Sequence, residues 1–379
     1  MVLDWLIRKE IVQMNKIKIG IIGTGVGIRT HLKGFRMIED AEVIAIAGSC
    51  LERSQEFAQK FDIPIACADY KELCDLPEID LVCVTTPNRF HHDMIQYALN
   101  AGKHIIAEKP LSDNIDEVRV LTSNVKGYNK LAIVDHQLRF NPYIRKIKEL
   151  ISNGTLGKIY SIRIQQQASG FADPNTPWNW SFDAKEGGGV RLAMISHFVD
   201  LMQFWFGKRS IINVNGYMNP ITKVRKDSCG NIHEVYASAI CSAQINFSDE
   251  MTAFLITNAG SYAESRFDIS IFGDKGELVF SLQEKLVLYL REDLGTRHIV
   301  AVDGVYQDEK ENNVSIFSGS FRYFAPQIID AIMTGDRKVL ADAATFFDAE
   351  YNLTVLDAVK KAANKGVSVS FSKGENSYV

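Results

Sequence analysis

The stretch Gly20-Ile21-Ile22-Gly23-Thr24-Gly25-Val26-Gly27-Ile28 decides the architecture. It ends a short apolar run, Ile17–Ile22, in glycines and leads into a segment of helical periodicity. A GxG step at a strand end lets backbone N–H groups approach a pyrophosphate at the start of the following helix. The full fingerprint has a third small residue at position 28, whereas this chain has Ile28 there and Gly27 one step early. A ligand-free glycine turn is the competing reading, and the place of the motif at the first strand of a βαβ series argues against it. Gly23, Thr24, Gly25, Gly27 and Ile28 are therefore the candidate phosphate cradle.

Outward from this stretch, short apolar runs at Val43–Ala47, Leu81–Thr85, His104–Ala107 and Leu131–Asp135 alternate with helical segments. Such runs, separated by helices, predict a parallel sheet buried on both faces. Helices are expected after Thr30, Asn88 and Asp113, with Gly102 and Gly127 as C-terminal caps. Beyond about Asn141 the pattern changes to consecutive strand-like runs: Lys158–Gln167, Ile211–Tyr217, Val235–Phe247, Met251–Asn258 and Ser265–Phe272. Asp274-Lys275-Gly276 reads as a turn between two further strands. Helices are sparse there: Val190–Phe206, Ser318–Met333 and Ala343–Ala363. The prediction is an α/β Rossmann domain followed by an α+β domain with a large, mostly antiparallel open sheet. Residues 1–15 read as an N-terminal extension, 16–141 as the dinucleotide-binding domain and 142–379 as the substrate and oligomerisation domain. The last helices are candidates to pack back on the first domain.

A chain of 379 residues exceeds what one core usually organises, which agrees with two domains. The net charge of −4 gives no global attraction to nucleic acid or to anionic membrane, so partners are sought among small molecules and further subunits. Six cysteines without paired Cys/His spacing read as reduced thiols, and no metal site is expected. No apolar run has the length of a membrane span, and the first residues lack a signal-peptide pattern, so a cytoplasmic location is expected.

After the second strand, Gly48-Ser49-Cys50 stands where an acidic residue usually receives the adenosine ribose hydroxyls, and no carboxylate appears until Glu52. Ser49 and Arg53 are candidates to contact a 2′-phosphate, which slightly favours NADP over NAD. The competing reading makes Arg53 a solvated helix charge.

The fourth and fifth strands run into Val84-Thr85-Thr86-Pro87-Asn88-Arg89-Phe90-His91 and Ala107-Glu108-Lys109-Pro110-Leu111. Together with the glycines, these segments resemble the glucose-fructose oxidoreductase / inositol dehydrogenase (Gfo/Idh/MocA) family, over about Lys16 to Phe371. The resemblance implies an NAD(P)-dependent oxidoreductase acting at a CH–OH carbon of a sugar, nucleotide sugar or polyol. It also implies homodimers or homotetramers formed through the second-domain sheet. Thr85, Thr86, Pro87, Asn88, His91, Glu108 and Lys109 are its cofactor-side residues, with Lys109 near the nicotinamide and the reacting hydroxyl. A lysine beside an oxidised nicotinamide feels a like charge and loses solvent, and both effects make it a usable acid or base.

A second mark is Glu186-Gly187-Gly188-Gly189-Val190, leading into a helix with His197 and Asp200. Many relatives carry an Asp four residues before the equivalent histidine, where this chain has Ala193. Asp135-His136-Gln137-Leu138-Arg139-Phe140-Asn141-Pro142 resembles a subgroup with that alanine. Two arrangements stay open: Lys109 as the acid/base with His197 hydrogen-bonding the hydroxyl, which is preferred, or the reverse. Arg139, Trp178, Trp180 and Arg191 are candidate substrate contacts, alongside His197, because aromatic faces stack on sugars and guanidinium groups fix anions. A cofactor-binding regulatory protein without turnover, or a dihydrodiol-type dehydrogenase, are the alternatives.

Overall fold

A computed structural model describes residues 16–310 and 314–372; the expected extension at 1–15 lies outside them. The described chain divides into two compact units. The first comprises residues 16–140 and 314–346, and the second comprises 141–310 and 347–372.

In the first unit, β1 (Ile17–Ile22), β2 (Ala41–Ala47), β3 (Ile65–Cys67), β4 (Leu81–Val84), β5 (His104–Glu108) and β6 (Ala132–Asp135) form a parallel sheet in the order 3-2-1-4-5-6. The order reverses between β1 and β4, the switch point where doubly wound sheets open a crevice for a ligand. These strands are almost wholly buried, which is why they read as continuous apolar runs. β3 escaped the sequence reading because three residues carry no period.

Two helix starts differ from expectation. The first helix begins at Gly27, ahead of Thr30, with a π-helical turn over Gly27–Leu32. The helix Ile115–Asn124 is capped by Asn114, one residue beyond Asp113, because the Asn114 side chain accepts from the Asp116 N–H. Gly102 and Gly127 both adopt positive φ at helix ends.

The returning segment completes this unit. From the helix Phe321–Thr334, Phe321, Phe324, Ala325, Ile328 and Ile329 join the core of β1, β2 and the first helix. Phe324 stacks on Phe140 at 4.1 Å, and Phe321 lies edge-on to Phe35. A Cβ at Gly34 would come within 2.5 Å of the Phe321 ring, so the helices approach this closely because residue 34 is glycine. An isolated bridge from Ala344 to Val134 pairs part of the exposed edge of β6.

The second unit is built on a nine-stranded sheet: β7 (Ile159–Gln167), β8 (Ile211–Asn219), β11 (Ile240–Phe247), β12 (Thr252–Asn258), β13 (Arg266–Gly273), β14 (Gly276–Ser281), β15 (Lys285–Leu290), β16 (Arg297–Ile299) and β17 (Val369–Ser370). Every pairing is antiparallel except β7 with β12. The Asp274-Lys275-Gly276 turn joins β13 to β14. A short separate hairpin pairs β9 (Val224–Lys226) with β10 (Ile232–Glu234). Burial alternates residue by residue along β11 and β12, so one sheet face is covered and the other is open. No helix of the described residues is long and apolar enough to cross a membrane.

Candidate active site

Each glycine of the cradle has its own task. Gly23 adopts φ +115°, and a Cβ there would lie 2.6 Å from the Thr85 carbonyl oxygen. Gly27 packs against Ile21 and Thr85, where a Cβ would meet both side chains at 2.5 Å. It therefore does the close-packing work that the fingerprint gives to its third glycine, and Ile28 turns into the core instead. Gly25 has open space around its ideal Cβ direction, so a bulky group can come up to the backbone there. Thr85 ties the loop to β1, its N–H and Oγ1 both donating to the Ile22 carbonyl at 2.8 Å. This cradle fits a dinucleotide pyrophosphate.

Farther along the crevice, Ser49 is exposed after β2. The Arg53 guanidinium lies 4.3 Å over the Phe57 ring and pairs with Glu56 at 3.1 Å, both exposed. Asn88 is buried at the head of the helical segment after β4, and Thr86 Oγ1 donates to the Met94 sulfur. His91 is turned inward. Its ring is fully buried, with Nδ1 2.7 Å from the Pro110 carbonyl and Nε2 2.7 Å from the Thr86 carbonyl. Both nitrogens serve the loop backbones after β4 and β5, so His91 braces these two loops.

Glu108-Lys109-Pro110 leaves β5 with a cis Lys109–Pro110 bond. Behind it lies a buried cluster that the sequence did not announce. His31, from the π-helical turn, places Nε2 2.9 Å from Asp135 Oδ2 and 3.6 Å from Glu108 Oε1. The imidazole stacks on Phe321 at 4.3 Å. Burial opposes the imidazolium, yet Asp135, Cys83 and Glu108 together hold its pKa well above the ordinary value. Burial pushes the Asp135 carboxyl up to about 6 against the hydrogen bond from His31, with the Glu108 charge adding to the rise. Glu108 goes the other way: burial resists ionisation, but His31, Lys109 and His91 carry it below the usual carboxylate range. Lys109 is lowered, chiefly by burial, while Glu108 and Asp135 pull it back up. The ligand-type atoms of His31, Glu108 and Asp135 lie within 4.8 Å of one another. With an imidazolium and Lys109 facing two carboxylates, their charges already balance without an ion.

In the second unit, Gly187, Gly188 and Gly189 lead into a second π-helical turn, Arg191–Ile195, continued by the helix Ser196–Phe206. Gly188 sits against the Ser181 and Asp183 carbonyls, and a Cβ would meet them at 2.5 and 2.7 Å. Gly189, at φ +96°, lies against Ser238. His197 and Asp200 are buried on this helix, and Ala193 is exposed. Asn352 fixes the helix start by donating to the Ser196 carbonyl.

Several substrate candidates have partners of their own. Arg191 is buried 3.5 Å from Asp357, so it meets a carboxylate of its own unit. Arg139, in the first unit, donates to the Asp342 carbonyl at 3.3 Å. Trp178 stacks on His233 at 4.3 Å, and Trp180 remains partly exposed. The loop carrying these tryptophans hangs on a residue the sequence reading missed. Buried Arg225 donates to the carbonyls of Phe171, Asp173 and Thr176, with its guanidinium 4.2 Å over the Phe182 ring.

A family profile described as "Oxidoreductase family, NAD-binding Rossmann fold" matches residues 17–136, and one described as "Oxidoreductase family, C-terminal alpha/beta domain" matches residues 148–371. The chain belongs to the Gfo/Idh/MocA oxidoreductase family. Among its relatives, levoglucosan dehydrogenase from Pseudarthrobacter phenanthrenivorans is 30% identical over 211 residues, 53% of this chain and 54% of that protein. Myo-inositol 2-dehydrogenase from Thermotoga maritima is 26% identical over 286 residues, 74% of this chain and 80% of that protein. A solved structure of levoglucosan dehydrogenase with NADH and levoglucosan superposes with a TM-score of 0.82 at 22% identity. That match covers 94% of this chain and 99% of the other. The chain is thus an oxidoreductase of the dehydrogenase type, with a Gfo/Idh/MocA nucleotide-binding unit.

Within that family frame, Asp135 carried a weak signal, a carboxylate closing an apolar strand, whereas His31 stands among Arg29, Thr30 and Lys33 and carried none. Arg225 carried none, because its strand has only three residues.

Proposed function

We propose that the protein transfers hydride between a nicotinamide cofactor and a CH–OH or carbonyl carbon of a sugar, nucleotide sugar or polyol, with Lys109 as the acid/base and His197 assisting. The observation that carries this reading is the part-buried Lys109 at the exit of β5, next in the chain to Glu108 of the buried Glu108–His31–Asp135 cluster, in the unit that holds the glycine cradle. Gly23, Thr24, Gly25 and Gly27 hold the pyrophosphate, and Thr85, Thr86, Pro87, Asn88 and Glu108 line the nicotinamide end. When bound, the cofactor accepts or donates the hydride. Oxidation needs a neutral amine at Lys109 to take the hydroxyl proton, and loss of solvent around the ammonium favours that form. His197 is assigned the hydrogen bond to the same hydroxyl.

The relatives named for levoglucosan and myo-inositol support a polyhydroxylated substrate. Trp180 offers an exposed aromatic face for one. NADP is slightly favoured, because no carboxylate follows β2 to repel a 2′-phosphate and Ser49 and Arg53 are exposed beside it. The open sheet face carries Tyr217, Phe254 and Ile256 and is proposed to form a homodimer or homotetramer. The protein is assigned to the cytoplasm.

Fluorescence titration with NADPH and NADH, then a panel of sugars, nucleotide sugars and cyclitols followed at the nicotinamide absorbance, tests the reading. Ser49→Asp is expected to shift preference toward NAD by about tenfold, since a carboxylate repels the 2′-phosphate and receives the ribose hydroxyls. An unchanged preference would place phosphate recognition elsewhere. Ala193 favours a second reading, a cofactor-binding regulator, for which the panel would show binding without turnover.

A further inference from the structure

We propose that His31 is a positioning residue: through Glu108 and Asp135 it keeps two carboxylates ionised beside Lys109 and so sets the acidity of the lysine that handles the substrate proton. The inference rests on the role assigned to Lys109 above.

The geometry gives His31 no other task of comparable strength. Its ring is fully buried, stacked on Phe321, and its Nε2 faces the carboxylates of β5 and β6 at 3.6 and 2.9 Å. The titratable groups facing the cluster are Cys83 from β4, His91 from the helix after β4, Glu108 and Lys109 from the end of β5, and Asp135 from the end of β6. The Cys83 thiol is raised by burial and stays protonated, and His91 is committed to two backbone carbonyls. The imidazolium of His31 is thus the cation that lets Asp135 and Glu108 carry charge together in a place without solvent. Two buried carboxylates this close cannot both ionise without such a cation; one takes up a proton. Lys109 is faced by the charges of both Glu108 and Asp135. If either is neutralised, the ammonium loses one of its two anionic neighbours while its burial stays unchanged. The lysine then releases its proton at lower pH. A π-helical turn is where a helix can present one side chain out of register, and here that turn presents His31.

The test reads Lys109 itself and needs no substrate. Competitive labelling of the full chain with trace acetic anhydride across pH 5 to 10, with the Lys109 peptide quantified by mass spectrometry, yields the midpoint of its titration. His31→Gln keeps a polar side chain but removes the charge, and the midpoint is expected to fall by about one pH unit. An unchanged midpoint in a folded His31→Gln protein overturns the proposal. Should that variant not fold, Asp135→Asn decides. It removes one of the two anions while keeping an acceptor for His31, and it must lower the Lys109 midpoint as well; no shift there overturns the proposal equally. A packing role alone would leave the midpoint in place. Because labelling is blind to turnover, a failure of the oxidoreductase reading would show in the cofactor and substrate panel and not here.

Discussion

Among the described residues, two helices begin with a π-helical turn and carry a buried histidine, and the two turns place different residues around them. His31 meets Asp135 and Glu108 from two neighbouring strands. His197 follows a turn whose position 193 is an exposed alanine, and the nearby cation, Arg191, is paired with Asp357. In the first unit a histidine and two carboxylates form one buried cluster. Under the proposed roles, the charged groups around Lys109 in the first unit set acid strength, and His197 is assigned only a hydrogen bond.

The sharpest way to break this comparison is to remove the two residues in turn. Lys109→Ala is expected to lower kcat by about 10²–10⁴-fold while leaving cofactor affinity nearly unchanged, the signature of a group acting in the transition state. His197→Ala is expected to cost only about tenfold, and a larger loss from His197 than from Lys109 would reverse the roles. Steady-state kinetics with a cofactor titration reads both.

The next largest effect belongs to the loop before the triple glycine. Arg225→Met takes a donor from three carbonyls, of which that of Asp173 keeps the Thr176 N–H, and is expected to cost about 2 kcal/mol of stability, measured by urea unfolding. Unaltered stability would mean that the loop is held by other contacts. The smallest effect tests the missing carboxylate directly. Ala193→Asp places an anion four residues before His197 and is expected to change kcat by about threefold, with the rate profile moving to higher pH as His197 holds its proton longer. A profile that does not move would show that position 193 does not communicate with His197.

Legibility in the sequence followed the same division. The fully buried strands β1, β2, β4, β5 and β6 were readable because each is a run of apolar residues bounded by breakers. The glycine turn was readable from its spacing at the end of the first strand, and Lys109 was singled out only through the resemblance carried by Glu108-Lys109-Pro110. The hairpin of β9 and β10, the strand β15 and the edge strand β16 were not, since short or half-exposed strands leave no period. The His31–Asp135 pair joins positions 104 residues apart, which only the closed sheet brings together.

The segment 314–346 has a consequence for how the protein comes into being. Phe321 and Phe324 are fully buried in the first unit, and losing such a side chain from a core costs about 3–5 kcal/mol. During synthesis the six strands emerge early, but the core they share stays unsealed until a stretch made some two hundred residues later arrives. Growth of the chain and completion of the nucleotide unit thus run out of step, and a fragment stopped near residue 141 would leave that apolar surface bare to water and to its neighbours.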